Sequence, residues 1–152
     1  MIHFKPAENA EQVTAIMTEP HVWQANKDDY SLETANFKLP YGIYILAYDD
    51  EELLGVYQLE AQTNICMKVH ASYLPIAWGT RSKIASRKFY EWLFDNTQAQ
   101  IILGFIPSHN VKMLAHAKKI GMIEEGRIKS IGIRDGQYFD HVIMKLTKMN
   151  RG

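Results

Sequence analysis

The sequence predicts a mixed α+β fold built on one central sheet. Strand-like and helix-like stretches follow the order β, α, α, β, β, β, α, β, α, β, β along the chain. Two polar breaks, Asp49 to Glu51 and Asp135-Gly136, fall between β-rich runs where hairpin turns belong. No repeat, low-complexity tract or Pro/Gly/Ser linker interrupts the 152 residues. That length fits one domain over residues 1–152, large enough to hold a core without disulfides or metal.

Ile2 to Lys5 reads as a short first strand, followed by a helix over Ala7 to Met17 with Pro6 near its start and acids in its first turn. Pro20 to Pro40 mixes polar and aromatic residues, and a second short helix is expected at Tyr30 to Phe37. Gly42 to Tyr48 and Leu53 to Ala61 are β-branched and aromatic and form a hairpin. In Ile65 to Leu74, Ile65, Met67, Val69, Ala71 and Tyr73 alternate with Cys66, Lys68, His70 and Ser72, as in a strand with one polar face. Pro75 ends it. After Gly79 comes Arg81 to Phe94, whose Ile84, Ala85, Phe89, Trp92 and Leu93 fall on one helical stripe. Ile101 to Ile106 is wholly apolar, like a strand buried on both faces. Pro107 and Ser108 open a further helix carrying Val111, Leu114, Ala117 and Ile120, which Gly121 closes. Met122 to Arg134 and Gln137 to Leu146 make the last hairpin.

Composition removes several function classes. Lys plus Arg and Asp plus Glu are 17 each, a net charge of zero, which argues against a nucleic-acid binder as a whole molecule. A single cysteine, Cys66, allows no intrachain disulfide or multi-cysteine zinc site, and this fits a cytoplasmic protein. The first residues are polar, so no signal peptide is expected, and the longest apolar stretch, near Tyr41 to Tyr48, is too short to span a bilayer. The histidines show no metal-ligand spacing: His109 and His116, seven apart, are about 10 Å distant along a helix. There is no G-x-S-x-G elbow and no phosphate-binding G-x-x-x-x-G-K-[ST] loop.

The richest local feature is the start of the Arg81 to Phe94 helix. Arg81, Lys83, Arg87 and Lys88 crowd its first two turns with no acid before Glu91. Free N–H groups there already carry about half a positive charge, so cations stand at the unfavourable end. A docked anion such as a phosphate accounts for this, with Gly79 letting backbone approach closely. The alternative is a solvated face whose repulsion is screened. Ser108-His109-Asn110 opens the next helix, where Asn110 is either a plain cap or a ligand group near parted strand ends. His70, on the polar face of the strand that runs into the Gly79 turn, is either structural or a general base, and Glu60 is a second candidate base.

Taken in order, Tyr73-Leu-Pro-Ile-Ala-Trp-Gly79, the basic helix, Gly104-Phe-Ile-Pro-Ser-His-Asn110, Ala117-Lys-Lys-Ile-Gly-Met-Ile-Glu-Glu-Gly126 and Asp135-Gly-Gln-Tyr-Phe-Asp140 resemble the GNAT superfamily of acyl-CoA N-acyltransferases. The resemblance covers roughly Gly42 to Leu146 and is closest to small acetyltransferase-like proteins of bacteriophages, where a Leu-Pro-x-x-Arg-Gly turn is similar to Leu74 to Gly79. It implies a sheet splayed at its middle strands, with acetyl-CoA in the V between the Ile65 to Leu74 and Ile101 to Ile106 strands. The pyrophosphate would rest on the backbone of Trp78, Gly79, Thr80, Arg81, Ser82, Lys83, Ile84 and Ala85. The pantetheine arm would pair with backbone near Ala71, Ser72 and Tyr73, and Asn110 would contact the cofactor. Three positions depart from the family pattern. Trp78 stands in place of the leading Arg or Gln of Q/R-x-x-G-x-G/A, Arg81 and Lys83 replace its glycines, and Ala117 occupies the position of the frequent general-acid tyrosine.

The reaction implied is transfer of acetyl from acetyl-CoA to an amine, with no metal. An alkylamine with a pKa near 10.4 is only about a thousandth neutral at pH 7, so a base must take its proton. That role falls to His70. A backbone N–H near Ser72 or Tyr73 would hold the developing oxyanion, and Tyr73 or Tyr138 would protonate the departing thiolate. The acceptor is unspecified, either a small molecule or a protein. Trp23 and Tyr30 with Asp28, Asp29 and Glu33 would suit a cationic amine, or form a solvated acidic loop. A homodimer is compatible with the sequence. The competing expectation is a catalytically silent GNAT-fold protein of phage assembly or regulation.

Overall fold

The computed structural model describes residues 1–150. Seven strands form one sheet: β1 (Ile2–Pro6), β2 (Ile43–Asp49), β3 (Glu52–Ala61), β4 (Cys66–Tyr73), β5 (Ile101–Pro107), β6 (Ile123–Arg134) and β7 (Gln137–Thr147). Their spatial order is β1-β2-β3-β4-β5-β7-β6. Only the β4–β5 pairing is parallel. Four helices flank the sheet: α1 (Ala10–Met17), α2 (Pro20–Asn26), α3 (Thr80–Asn96) and α4 (Val111–Lys119). This is the mixed α+β architecture expected, with its strands and helices in the expected order. Among the described residues no helix is long and apolar enough to cross a membrane.

The second helix lies earlier than the sequence suggests. Pro20 occupies its first turn, where its missing N–H is no loss, and the Glu19 carboxylate accepts the backbone N–H groups of His21 and Val22, both at 3.1 Å. Tyr30 to Phe37, expected to be helical, holds only a single 3-10 turn at Thr34–Asn36.

Two clusters form the core. On one face α3 lays Ala85, Phe89, Leu93 and Phe94 against Tyr57, Val69, Tyr73 and Ile102. Phe89 stacks on Tyr57 with ring centroids 3.9 Å apart, and burying such a ring contributes about 1.5–3 kcal/mol. On the other face Val13, Ile16 and Met17 of α1 cover Leu46 and Val56. The α3 stripe is rotated from the expected one. Ile84 is 44% exposed and Trp92 sits at the edge, while Ser82, Ser86 and Tyr90 turn inward. The inward serines are tolerated because Ser82 Oγ donates to the Gly79 carbonyl at 2.9 Å and Ser86 joins a buried polar chain.

Candidate active site

The site begins where two strands part. β4 and β5 share three pairs, Cys66↔Ile101, Met67↔Ile102 and Lys68↔Leu103. Beyond them β4 continues along β3 as far as Tyr73↔Gly55, and β5 continues along β7 as far as Pro107↔His141. Each strand therefore keeps its outer neighbour while the inner edges diverge. The gap opens into a groove of about 630 Å³. Ala71, Ser72 and Tyr73 of β4, Trp78 and Gly79 of the turn, Ser82 and Lys83 of α3, and Asn110, Met113, His116 and Lys119 from α4 and its cap line it. Val22, Ala25 and Asn26 of α2 close the far side.

The end of the groove at α3 is built for negative charge. Gly79 has φ 95°, a left-handed conformation that a side chain would strain although open space surrounds it. It starts α3 with no side-chain cap and no acid in the first turn, so the first N–H groups have no partner within the helix. Lys83 stands close to Lys119, whose ammonium is the largest cause lowering the Lys83 pKa. An uncapped helix start beside two ammonium groups that repel each other is relieved by an anion. The Ser72 hydroxyl is buried in the groove wall with no hydrogen-bond partner. The Trp78 indole N–H donates to the Tyr73 carbonyl at 2.9 Å, fixing the end of β4. Asn110 caps α4, its carboxamide oxygen accepting the Met113 N–H at 3.1 Å, and also lines the groove.

Four residues whose backbone is expected at the pyrophosphate, Thr80, Arg81, Ile84 and Ala85, do not line the groove with their side chains. Arg81 turns to the β2–β3 hairpin, where it binds Glu52 and lies 3.4 Å from Asp49. These carboxylates neutralise the guanidinium for which an anion was one of the two expected surroundings. Ala85 is fully buried under the sheet, Ile84 points outward, and Thr80 is exposed at the helix start.

A second cavity, about 660 Å³, lies on the α1/α2 side of the sheet. The register that pairs Gln58 with His70 and Glu60 with Lys68 sets these four side chains together in its floor. His70 is held below the usual histidine pKa, first by burial and then by the charge of Lys68. Glu60 lies 4.0 Å from the Lys68 ammonium. His70, Ala71, Asn110 and His116 also line the narrow space between the parted strands, and Asn26 borders both large cavities. The two candidate bases thus share one chamber, and the groove between the parted strands adjoins it.

Tyr138 stands apart from them, 70% exposed on the outer part of β7 and lining neither cavity. The acids of residues 28–33 also lie outside the His70 chamber. Asp28, Asp29 and Glu33 border an adjoining cleft that shares Trp23, Lys27, Ser31 and Leu32 with the chamber, and the Asp29 carboxylate accepts the N–H groups of Asp135 at 2.8 Å and Gly136 at 2.9 Å.

One group escaped sequence reading. His116 Nε2 lies 3.0 Å from Ser86 Oγ, Ser86 bonds to the Tyr73 hydroxyl, and Tyr73 donates to the Tyr57 hydroxyl at 2.9 Å. Burial, with Lys83 and Arg87 nearby, depresses the His116 pKa to about 4. No local pattern marks it, because its partner is thirty residues away on another helix.

Residues 2–150 match a protein family described as a protein of unknown function, DUF2824. The chain belongs to the DUF2824 family. This DUF2824 protein is 23% identical over 129 residues to protein p31 of Acyrthosiphon pisum secondary endosymbiont phage 1, an alignment covering 81% of each chain. Its fold is similar to that of the spermidine N-acetyltransferase from Vibrio cholerae solved with CoA and spermine. The TM-score is 0.79 at 12% identity, over 99% of this chain and 97% of the other. An acetyltransferase of the GNAT family from Streptococcus pneumoniae aligns with TM-score 0.71 at 14% identity, over 97% and 99% of the two chains. The DUF2824 chain therefore has the GNAT acetyltransferase fold, splayed at β4 and β5 as the resemblance implies.

Proposed function

We propose that this protein is an acyl-CoA-dependent N-acetyltransferase acting on an amine. The observation that carries the reading is the groove beyond Lys68↔Leu103, which joins an uncapped, cation-flanked helix start to the chamber holding His70. The V. cholerae enzyme of the same fold was solved with CoA.

The groove fits such a donor in shape and charge. Its volume lies within the range of small-molecule sites, its Ser72 hydroxyl lacks a partner, and the Lys83–Lys119 repulsion calls for an anion. Lys83, Lys119 and the first N–H groups of α3 would hold the phosphates, in place of Arg81. The free edge of β4 at Ala71 to Tyr73 would lie along the pantetheine arm, with Asn110 opposite. Acetyl-CoA, when bound, supplies an acetyl group activated as a thioester. His70, neutral at pH 7 because burial and Lys68 lower its pKa, takes the proton of the incoming amine. Glu60, tied to Lys68, orients the chamber floor. A single domain suffices for this chemistry, and the reading requires no metal.

Calorimetric titration of acetyl-CoA tests the donor. Micromolar binding, weakened by Lys83→Glu, supports the reading, and absence of heat removes it. His70→Ala should then abolish thiol release while donor affinity stays. A specific observation favours a second reading, a GNAT-fold protein that binds without turnover. Ala117 stands at the position where the family often has a general-acid tyrosine, and it is buried in the core. Donor binding with no thiol release on any amine would decide for it.

A further inference from the structure

The chamber that holds His70 is unevenly charged. Its walls carry three ammonium groups, Lys27, Lys38 and Lys68, and one carboxylate, Glu60, with no other Asp, Glu, Lys or Arg among the described lining residues. Glu60 is already shared with Lys68 at 4.0 Å. Lys68 itself stands over the Phe105 ring, 4.7 Å from its centroid, and is thereby fixed in the chamber floor. His141 adds a buried Nδ1 with no hydrogen-bond partner. Asp28, Asp29 and Glu33 line an adjoining cleft that shares Trp23, Lys27, Ser31 and Leu32 with the chamber, and there Asp29 is occupied by backbone N–H groups and Asp28 by the Tyr30 N–H and the Ser31 hydroxyl.

We infer that the acceptor is an amine carrying a carboxylate, and that Lys38 and Lys68 select it against polyamines. The inference rests on the transferase reading and names its substrate class. Two effects act in the same direction. The chamber's ammonium groups attract the acceptor's carboxylate and repel a second or third ammonium of a polyamine. The same positive field disfavours the protonated form of the reacting amine, so a larger fraction reaches His70 as the neutral nucleophile. Lys68 already acts in this way on both imidazoles of the chamber, His70 and His141. Trp23 and Phe37, in edge contact with centroids 5.7 Å apart, supply an apolar wall for the rest of the acceptor.

The test measures thiol release from acetyl-CoA with the full chain, using L-glutamate and alanyl-glutamate against spermidine and alanyl-lysine amide. The acidic amines should show kcat/KM at least about tenfold higher, the scale set by one unscreened charge contact in a site of this kind. Lys38→Glu, on an exposed segment, and Lys68→Met should each lower that preference, and the double variant should erase it. Equal or greater rates with the cationic amines would overturn the selection while leaving the transferase reading in place. If no amine releases thiol, the transferase reading fails, and calorimetry with alanyl-glutamate still decides the charge assignment. Heat lost in the double variant supports it; no heat, or heat unchanged by the substitutions, overturns it.

Discussion

Ser86 Oγ and His116 Nε2 meet at 3.0 Å across the groove wall, joining α3 to α4 through an imidazole whose pKa burial depresses to about 4. The folded state keeps this ring neutral, whereas the unfolded chain protonates it near 6.5. Between those values the unfolded state binds more protons, so stability is full above about pH 6.5 and falls as pH drops toward 4. Urea midpoints measured across that window should decline with acid, and His116→Gln should flatten the slope. A slope unchanged by the substitution would mean that another group drives it.

Arg81 and Lys83 are two residues apart and have opposite surroundings. Arg81 is neutralised by Glu52 and Asp49, and Lys83 faces only other cations among its named neighbours. Arg81→Ala should therefore leave acetyl-CoA affinity nearly unchanged, while Lys83→Glu should weaken it about tenfold or more, as expected when a charge-assisted contact to phosphate is reversed. Equal losses in the two variants would place the anion on Arg81 after all.

How far the sequence could be read depends on whether a signal was local. The strand periods, the Asp135-Gly136 turn and the β4 polar face are written in neighbouring residues, and they led to the architecture and to His70 as a candidate base. The α3 start was legible as a cluster of cations, but not which of them would be neutralised, because Asp49 and Glu52 arrive from a distant hairpin. Helix α2 was missed because its start depends on Pro20 and a Glu19 cap inside a stretch dominated by polar and aromatic residues. Asp29 reads either as a partner for a cation or as part of a solvated acidic loop, whereas tertiary structure brings backbone N–H groups to it.

Gly55 lies against the groove wall from behind. A methyl group there would stand 2.4 Å from the Ser72 carbonyl oxygen and 2.9 Å from Tyr73 Cα, both backbone atoms that cannot swing aside. Gly55→Ala must push β4 away from β3 at the residues that border the groove between β4 and β5. Overpacking of this kind costs about 1–3 kcal/mol. Denaturant unfolding should register that loss, and donor affinity should fall with it although Gly55 itself touches no ligand.

The segment after α2 is fastened to the tip of the β6–β7 hairpin from both sides. Asp29 accepts the N–H groups of Asp135 and Gly136 and donates its own N–H to the Ile133 carbonyl at 2.9 Å, while Arg134 donates to the carbonyls of Ala25 at 3.1 Å and Lys27 at 3.2 Å. Those N–H groups hold the Asp29 carboxyl below its usual pKa, so the clasp persists to lower pH than an ordinary carboxylate would allow. Lys27, Ser31 and Leu32 of this segment, with Trp23 of α2, also wall the chamber that holds His70. Asp29→Ala should therefore raise the KM for the amine several-fold while the acetyl-CoA dissociation constant, set by α3 and α4, stays put. Amide exchange at Asp135 and Gly136 should quicken in the same variant, since both lose their acceptor. Faster exchange with an unchanged KM would show that the clasp stabilises the hairpin without shaping the chamber.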